Sequence, residues 1–192
     1  MNIGITLTSS LDIDEKYIHL TKSVAKTLAE KGHGIIYGGT SYGMMKNLAE
    51  TYKQNGGKML CGVIAKDLIA VTKNYEKYMN LDKEYIVSSM EERKKKIIEL
   101  ADAYLILPGG YGSFDEIGSV IGGQANKLYS KPIALFNFEG FYNTLVNFLN
   151  EMYEKAFSRI QPSELFFSSD NFDDILHFYE NYKAKKLRDK FI

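Results

Sequence analysis

The stretch Pro108-Gly109-Gly110-Tyr111-Gly112-Ser113-Phe114-Asp115-Glu116 gathers glycines, a hydroxyl and two carboxylates in one short run. It follows the apolar residues Ala103-Tyr104-Leu105-Ile106-Leu107, which read as a buried parallel strand, and leads into a segment that reads as a helix. A strand that ends in glycines and opens a helix is where an α/β protein holds a phosphate, because successive N–H groups and the helix N-terminus converge on the anion. Gly109, Gly110 and Gly112 are expected to allow positive φ and close backbone approach. Ser113 is expected to supply a hydroxyl donor and an N-cap. Asp115 and Glu116 then fall in the first helical turn, where the dipole favours a carboxylate but a phosphate does not. At least one of them is therefore expected to face something other than the phosphate.

A second charged element is Ser89-Met90-Glu91-Glu92-Arg93-Lys94-Lys95-Lys96. On composition it is an exposed helix start with acids early and bases late, as the dipole prefers. It also follows a strand, which puts it at the ligand-binding edge expected of a parallel sheet, so Arg93 or Lys94 can meet a ligand there. An arginine offers a planar fork of donors suited to phosphate and sugar oxygens. Two further strand ends carry weaker signals. Thr8-Ser9-Ser10 offers hydroxyls, which also simply make turns. Gly38 and Gly39, after Tyr37, are either structural or a place of close backbone approach. Neither glycine loop continues into the Gly-Lys-Ser/Thr of a P-loop. The first strand lacks a Gly-x-Gly-x-x-Gly, which disfavours dinucleotide binding.

These residues depend on an alternation of short apolar runs with longer helical stretches, the mark of parallel βαβ units. Strands are expected near 2–8, 34–37, 59–64, 84–88, 103–107 and 132–136. Helices are expected near 14–31, 42–55, 90–101, 113–127, 141–156 and 172–187. Asp12 or Asp14 can cap the first helix and Gly32 can end it, with Gly56-Gly57 closing the second. The fold class that follows is α/β, a Rossmann-like doubly wound and mostly parallel sheet with helices on both faces, in a single domain over 1–192. Residues 65–83 lack periodicity and form a candidate binding loop. The tail from Asn181 to Ile192, rich in Lys and Arg, reads as a solvated helix end.

Lys and Arg total 24, as do Asp and Glu, so no global field points to nucleic acid or an anionic membrane. The N-terminus lacks the basic start and apolar run of a signal peptide, and no window approaches a membrane span. A cytoplasmic protein is the expectation. The single cysteine, Cys61, and the scattered His19, His33 and His177 give no metal-ligand spacing, so neither metal nor cofactor is expected.

Met90-Glu91-Glu92-Arg93-Lys94, followed by Pro108 to Glu116, resembles the signature of the LONELY GUY (LOG) family, approximately Met-His-x-Arg-Lys and then Pro-Gly-Gly-x-Gly-Thr-x-x-Glu, with the family's interval between Arg93 and Pro108. The likeness extends through Tyr37-Gly38-Gly39, Gly57 to Lys66, and Lys131 to Asn137 and on to Tyr142. It implies a metal-free, Rossmann-like homodimer that hydrolyses the N-glycosidic bond of a nucleoside 5′-monophosphate, such as a cytokinin or AMP-type nucleotide, to base and ribose 5-phosphate. By position, Arg93 and Glu116 take the catalytic places. Lys94 and the loop from Gly110 to Asp115, with Gly109 before it, take substrate-binding places, and Gly110, Gly112 and Ser113 lie at the phosphate. Ser9, Gly38, Gly39 and Met90 join them as substrate contacts. The chain departs from the family with Thr8 for Gly, Thr40 for a third Gly, Glu91 for His and Ser113 for Thr. Gly122-Gly123-Gln124 replaces a Trp-containing stretch. These changes leave the identity of the base open. Two alternatives stand beside the hydrolase: a non-catalytic nucleotide or cofactor carrier on the same fold, and a pyridoxal-dependent decarboxylase. The second would need a lysine that nothing in the sequence singles out.

Overall fold

The computed structural model describes residues 1–188. The chain forms two compact units, Met1–Asp102 and the part from Ala103 onward. In the first unit the order is β1 (Asn2–Thr6), α1 (Glu15–Glu30), β2 (Gly34–Tyr37), α2 (Gly43–Gln54), β3 (Leu60–Ala65), α3 (Lys66–Val71), β4 (Lys83–Val87) and α4 (Met90–Leu100). In the second it is β5 (Ala103–Ile106), α5 (Tyr111–Ala125), β6 (Ile133–Phe136), a 3₁₀ turn at Phe138–Gly140, α6 (Asn143–Glu154), α7 (Pro162–Leu165), β7 (Phe167–Ser169) and α8 (Phe172–Glu180).

The first unit's strands pair in the order β4-β3-β2-β1, every ladder parallel. β2 and β3 are buried along their whole length, and their sequences, Gly-Ile-Ile-Tyr and Leu-Cys-Gly-Val-Ile-Ala, are the near-continuous apolar runs of strands covered on both faces. β4 alternates between exposed and half-buried positions, as an edge strand does. α1 begins where Asp14 accepts a hydrogen bond from the Lys16 N–H (3.0 Å), and Gly32 follows its end at φ 70°. Its buried stripe, Leu20, Val24, Ala25 and Leu28, recurs at helical spacing. α1 packs along α2, while α4 lies across β1 to β4. In the second unit β5-β6-β7 pair in that order, again parallel. Two buried phenols tie it together: Tyr142 donates to the Leu107 carbonyl and Tyr179 to the Tyr104 carbonyl, each at 2.8 Å.

Most expected elements lie within a residue or two of the observed ones; the short helix α7 and the 3₁₀ turn were not expected, and three further differences stand out. β7 was not expected: three residues carry no period, and only pairing with β6, Ala134 with Phe167 through Phe136 with Ser169, makes them a strand. Residues 65–83 include the short helix α3. The last helix stops at Glu180 rather than 187. Beyond it the chain is held by side-chain contacts, Tyr182 Oη with Ser130 Oγ at 3.1 Å and Lys185 Nζ donating to the Ser163 carbonyl at 2.9 Å. Residues 182–188 are thus mostly exposed, as expected, but not helical, and 189–192 lie outside the described residues. No helix among the described residues is long and apolar enough to cross a membrane.

Candidate active site

Parallel strands deliver their following loops to one edge, and in the first unit those loops are bound to one another. After β1, Thr8 Oγ1 accepts from the Ser10 N–H (3.1 Å), so Thr8 builds a turn and leaves Ser9 exposed. Gly43, at φ 53°, opens α2 so close to that turn that a Cβ would fall 2.2 Å from the Ser10 carbonyl. After β2, Thr40 Oγ1 donates to the Glu76 carbonyl (3.1 Å), the Ser41 N–H donates to the same oxygen (2.9 Å), and the Tyr78 N–H donates to the Gly39 carbonyl (2.8 Å). Tyr42 Oη also donates to the Asn74 carbonyl. Residues 74–78 are therefore a strap laid on the second glycine loop, and Thr40, where the family pattern has glycine, is one of its anchors. After β3, Asp67 Oδ2 accepts from the Met90 N–H (2.9 Å) and binds the start of α4.

α4 carries Arg93 and Lys94. Its N-cap is Ser89, which accepts from the Glu92 N–H (3.2 Å), while Glu92 reaches back to accept from the Ser88 N–H (2.9 Å). That reciprocal capping, through the Ser88 contact first, holds the Glu92 carboxyl below its usual range. Arg93 and Lys94 are both buried, at 5% and 7% exposure, which contradicts a merely solvated helix start. Lys94 Nζ meets Glu91 Oε1 at 2.8 Å, so the acid that replaces the family's histidine engages the neighbouring lysine. Arg93 Nη1 donates to Met90 Sδ (3.3 Å), and Nη2 lies where a Cβ on Gly38 would stand, 2.1 Å from it. Burial raises the Tyr75 phenol, and the Arg93 charge pulls it back, so the strap brings a phenol within electrostatic reach of the guanidinium. Neither Tyr75 nor Asp67 belongs to a sequence motif. Their only signal was their place after a strand in an aperiodic segment.

In the second unit, Leu107 and Pro108 are buried and α5 begins at Tyr111, two residues earlier than expected. Its N-cap is Gly110, with no side-chain capping bond. Ser113 is thus the third helical residue and not the cap. The helix's opening N–H groups have no capping side chain, which suits them to an anion. Asp115 and Glu116 fall in the second turn, beyond those amides, which removes the expected clash between a carboxylate and a phosphate. None of Gly109, Gly110 and Gly112 has positive φ, so backbone strain does not explain them. A Cβ on Gly110 or Gly112 would meet nothing within 4 Å, so open space lies over both. The loop sorts its side chains by helical phase: Ser113 and Glu116 are buried at 4% and 6% exposure, Tyr111 and Phe114 stand out at 96% and 60%, and Asp115 is exposed. Farther along α5, Gly123 makes room for Tyr129, whose hydroxyl donates to the Val120 carbonyl (2.7 Å). Among the described residues no group of three or more His, Cys, Asp or Glu side chains could hold a metal ion.

The model of a family described as "possible lysine decarboxylase" matches residues 45–178. A cytokinin riboside 5′-monophosphate phosphoribohydrolase of Arabidopsis thaliana is 31% identical over 162 residues, 84% of this chain and 74% of that protein. The chain belongs to the LONELY GUY family. A probable cytokinin riboside 5′-monophosphate phosphoribohydrolase of Oryza sativa subsp. japonica is similar at 31% over 159 residues, 83% of this chain and 74% of that one. Phosphoribohydrolase activity is thus the activity named across these LONELY GUY relatives. Among solved structures, a molybdenum cofactor carrier protein from Chlamydomonas reinhardtii resembles the chain with a TM-score of 0.69 at 17% identity, covering 93% of this chain and 96% of that one. At that identity the likeness establishes the fold alone, the α/β Rossmann-like class expected from the alternation of strands and helices.

Proposed function

We propose that this protein hydrolyses the N-glycosidic bond of a nucleoside 5′-monophosphate, releasing the free base and ribose 5-phosphate. The observation that carries the reading is that Arg93 and Glu116, at the family's motif positions, are the charged members of their helix starts withdrawn from water along with Lys94, while their sequence neighbours Glu91, Glu92 and Asp115 are exposed. Burying charge is costly; Glu91 offsets part of that cost at Lys94, and a site for a charged ligand and a charged transition state gives the burial a use. Cleavage builds oxocarbenium character on the ribose; Glu116 stabilises it and holds the incoming water. Arg93 orients the sugar and phosphate through its donor fork. The opening amides of α5, the space over Gly110 and Gly112, and the Ser113 hydroxyl receive the phosphate, with Lys94 balancing its charge. Further substrate contacts on this reading are Ser9, after β1, and Gly109, Tyr111, Phe114 and Asp115, around the start of α5.

Incubating the protein with purine and pyrimidine nucleoside monophosphates, with and without N6-prenyl groups, should release base from at least one. The corresponding unphosphorylated nucleosides should react about tenfold or more slowly, equivalent to ~1.4 kcal/mol of transition-state binding. Tight nucleotide binding without base release would identify a carrier instead.

We further propose a homodimer formed through α5 and α6. Ile117, Ile121, Leu145, Leu149 and Met152 line an apolar groove there beside Phe148, which is 56% exposed. Gly118 and Gly122 leave its floor open to a facing helix. Light scattering at micromolar concentration should give twice the chain mass, and Phe148→Asp should give the monomer. A wild-type monomer at that concentration refutes the dimer.

A further inference from the structure

We propose that Gly38 and Met90 are positioning residues for the Arg93 guanidinium rather than contacts for the substrate; this rests on the reading above that Arg93 is catalytic. The backbone of Gly38 forms a seat. A Cβ there would stand 2.1 Å from Arg93 Nη2 and 2.9 Å from Cζ, so the guanidinium occupies the space that a side chain at position 38 would need. The other terminal nitrogen, Nη1, is held by Met90 Sδ at 3.3 Å, one helical turn back along α4. Met45 Cε closes the seat, 3.3 Å from the same Cβ position. Arg93 is 5% exposed, so its head lies in this seat rather than out in solvent. The second glycine loop thereby acts through the arginine: the strap at 74–78 fixes the loop, the loop offers a bare Cα, and the guanidinium lies on it.

Adjacent glycines separate this role from ordinary backbone need. Gly39 has φ 72°, and a Cβ there would meet the Gly62 Cα at 3.2 Å and Ile64 Cγ1 at 3.1 Å. Alanine at 39 is strained and pushes on backbone. Gly38 has no positive φ, and its nearest atoms are the tips of flexible side chains. Alanine at 38 is therefore tolerated by the fold and displaces only the arginine head.

The experiment measures base release from AMP and N6-isopentenyl-AMP by Gly38→Ala, Gly39→Ala, Met90→Leu and Arg93→Ala, and by the first and third combined with Arg93→Ala. Gly38→Ala should lower kcat/KM about tenfold or more with Tm nearly unchanged, and Met90→Leu about threefold, whereas Gly39→Ala should lower Tm by several degrees. In the Arg93→Ala background both first effects should vanish, as expected of residues acting through one group. Wild-type activity in Gly38→Ala, or a loss of equal size in both backgrounds, overturns the proposal for Gly38. The same outcomes for Met90→Leu overturn it for Met90. A Gly38→Ala chain that folds only when Arg93 is also alanine supports the seat. If Arg93→Ala is fully active, or wild type releases no base, the catalytic reading of Arg93 fails by itself. The seat is then judged by the crystal structure of Gly38→Ala: a guanidinium moved by about 1 Å or more supports it, and one left in place refutes it.

Discussion

Glu116→Gln should abolish base release while leaving nucleotide binding within a few-fold of wild type. The substitution keeps the size and planar shape of a buried side chain, removes its negative charge and turns one acceptor oxygen into a donor amide. On the proposed reading, ground-state binding draws on the α5 amides, Ser113, Arg93 and Lys94, and the substitution alters none of these groups. Positive charge develops on the ribose only as the glycosidic bond breaks, so an anion placed for that moment contributes to kcat and little to affinity. Removing such a preorganised electrostatic group costs roughly 3–4 kcal/mol or more, a fall in kcat on the order of 10³-fold. Isothermal titration with AMP and a base-release assay on the same sample test both halves. Undiminished turnover would defeat the assignment of Glu116, and a parallel loss of binding would make the residue a ligand contact instead.

The second large effect concerns alkali. Burial raises the phenols of Tyr37, Tyr142 and Tyr179 well above the ordinary tyrosine value, with the nearby phenols of Tyr78 and Tyr75 adding to the rise at Tyr37. Each is exposed 6% or less. In the unfolded chain they ionise near pH ~10, while in the folded state they stay protonated. A group whose folded value is raised contributes stability that is complete below the unfolded value and lost as pH climbs above it, because the folded state then binds the extra proton. Each such phenol costs ~1.4 kcal/mol per pH unit, so three cost about 8 kcal/mol across two units, comparable with the whole stability of a domain, roughly 5–15 kcal/mol. Cooperative unfolding is therefore expected between about pH 10 and 12. Half-buried Tyr129, pushed up to about 12, adds to the upper part of that window. Far-UV circular dichroism followed together with tyrosinate absorbance should show the buried phenols ionising only as the helices are lost. Full ionisation of all 14 tyrosines with native dichroism retained would rule this out.

Strand and helix positions were legible wherever one segment carries its own pattern. The apolar runs of β2, β3, β5 and β6 and the helical stripe of α1 are local properties, and Asp14 and Gly32 act within one turn of the helix ends they mark. β7 and the end of α8 were not legible, because a three-residue strand exists only through its partner and the helix ends where Tyr182 and Lys185 find distant contacts. In the 108–116 loop, the expected helix start lies two positions late. That error made Ser113 a cap and put the carboxylates beside the amides. The glycines were expected to allow positive φ, yet none adopts it, and Gly110 and Gly112 instead leave open space.

The sequence alone determined the α/β class and the family, since both rest on residue order and spacing along the chain. Tertiary structure decided what those residues touch. That Gly38 seats the head of an arginine 55 positions later, that Thr40 anchors a strap through Glu76, and that Glu116 is buried while Asp115 is not are outcomes of chain crossings and helix phase. Periodicity reports only which face of an element prefers to leave water. Which atoms meet that face is set by contacts between segments far apart in sequence, and no local pattern encodes them.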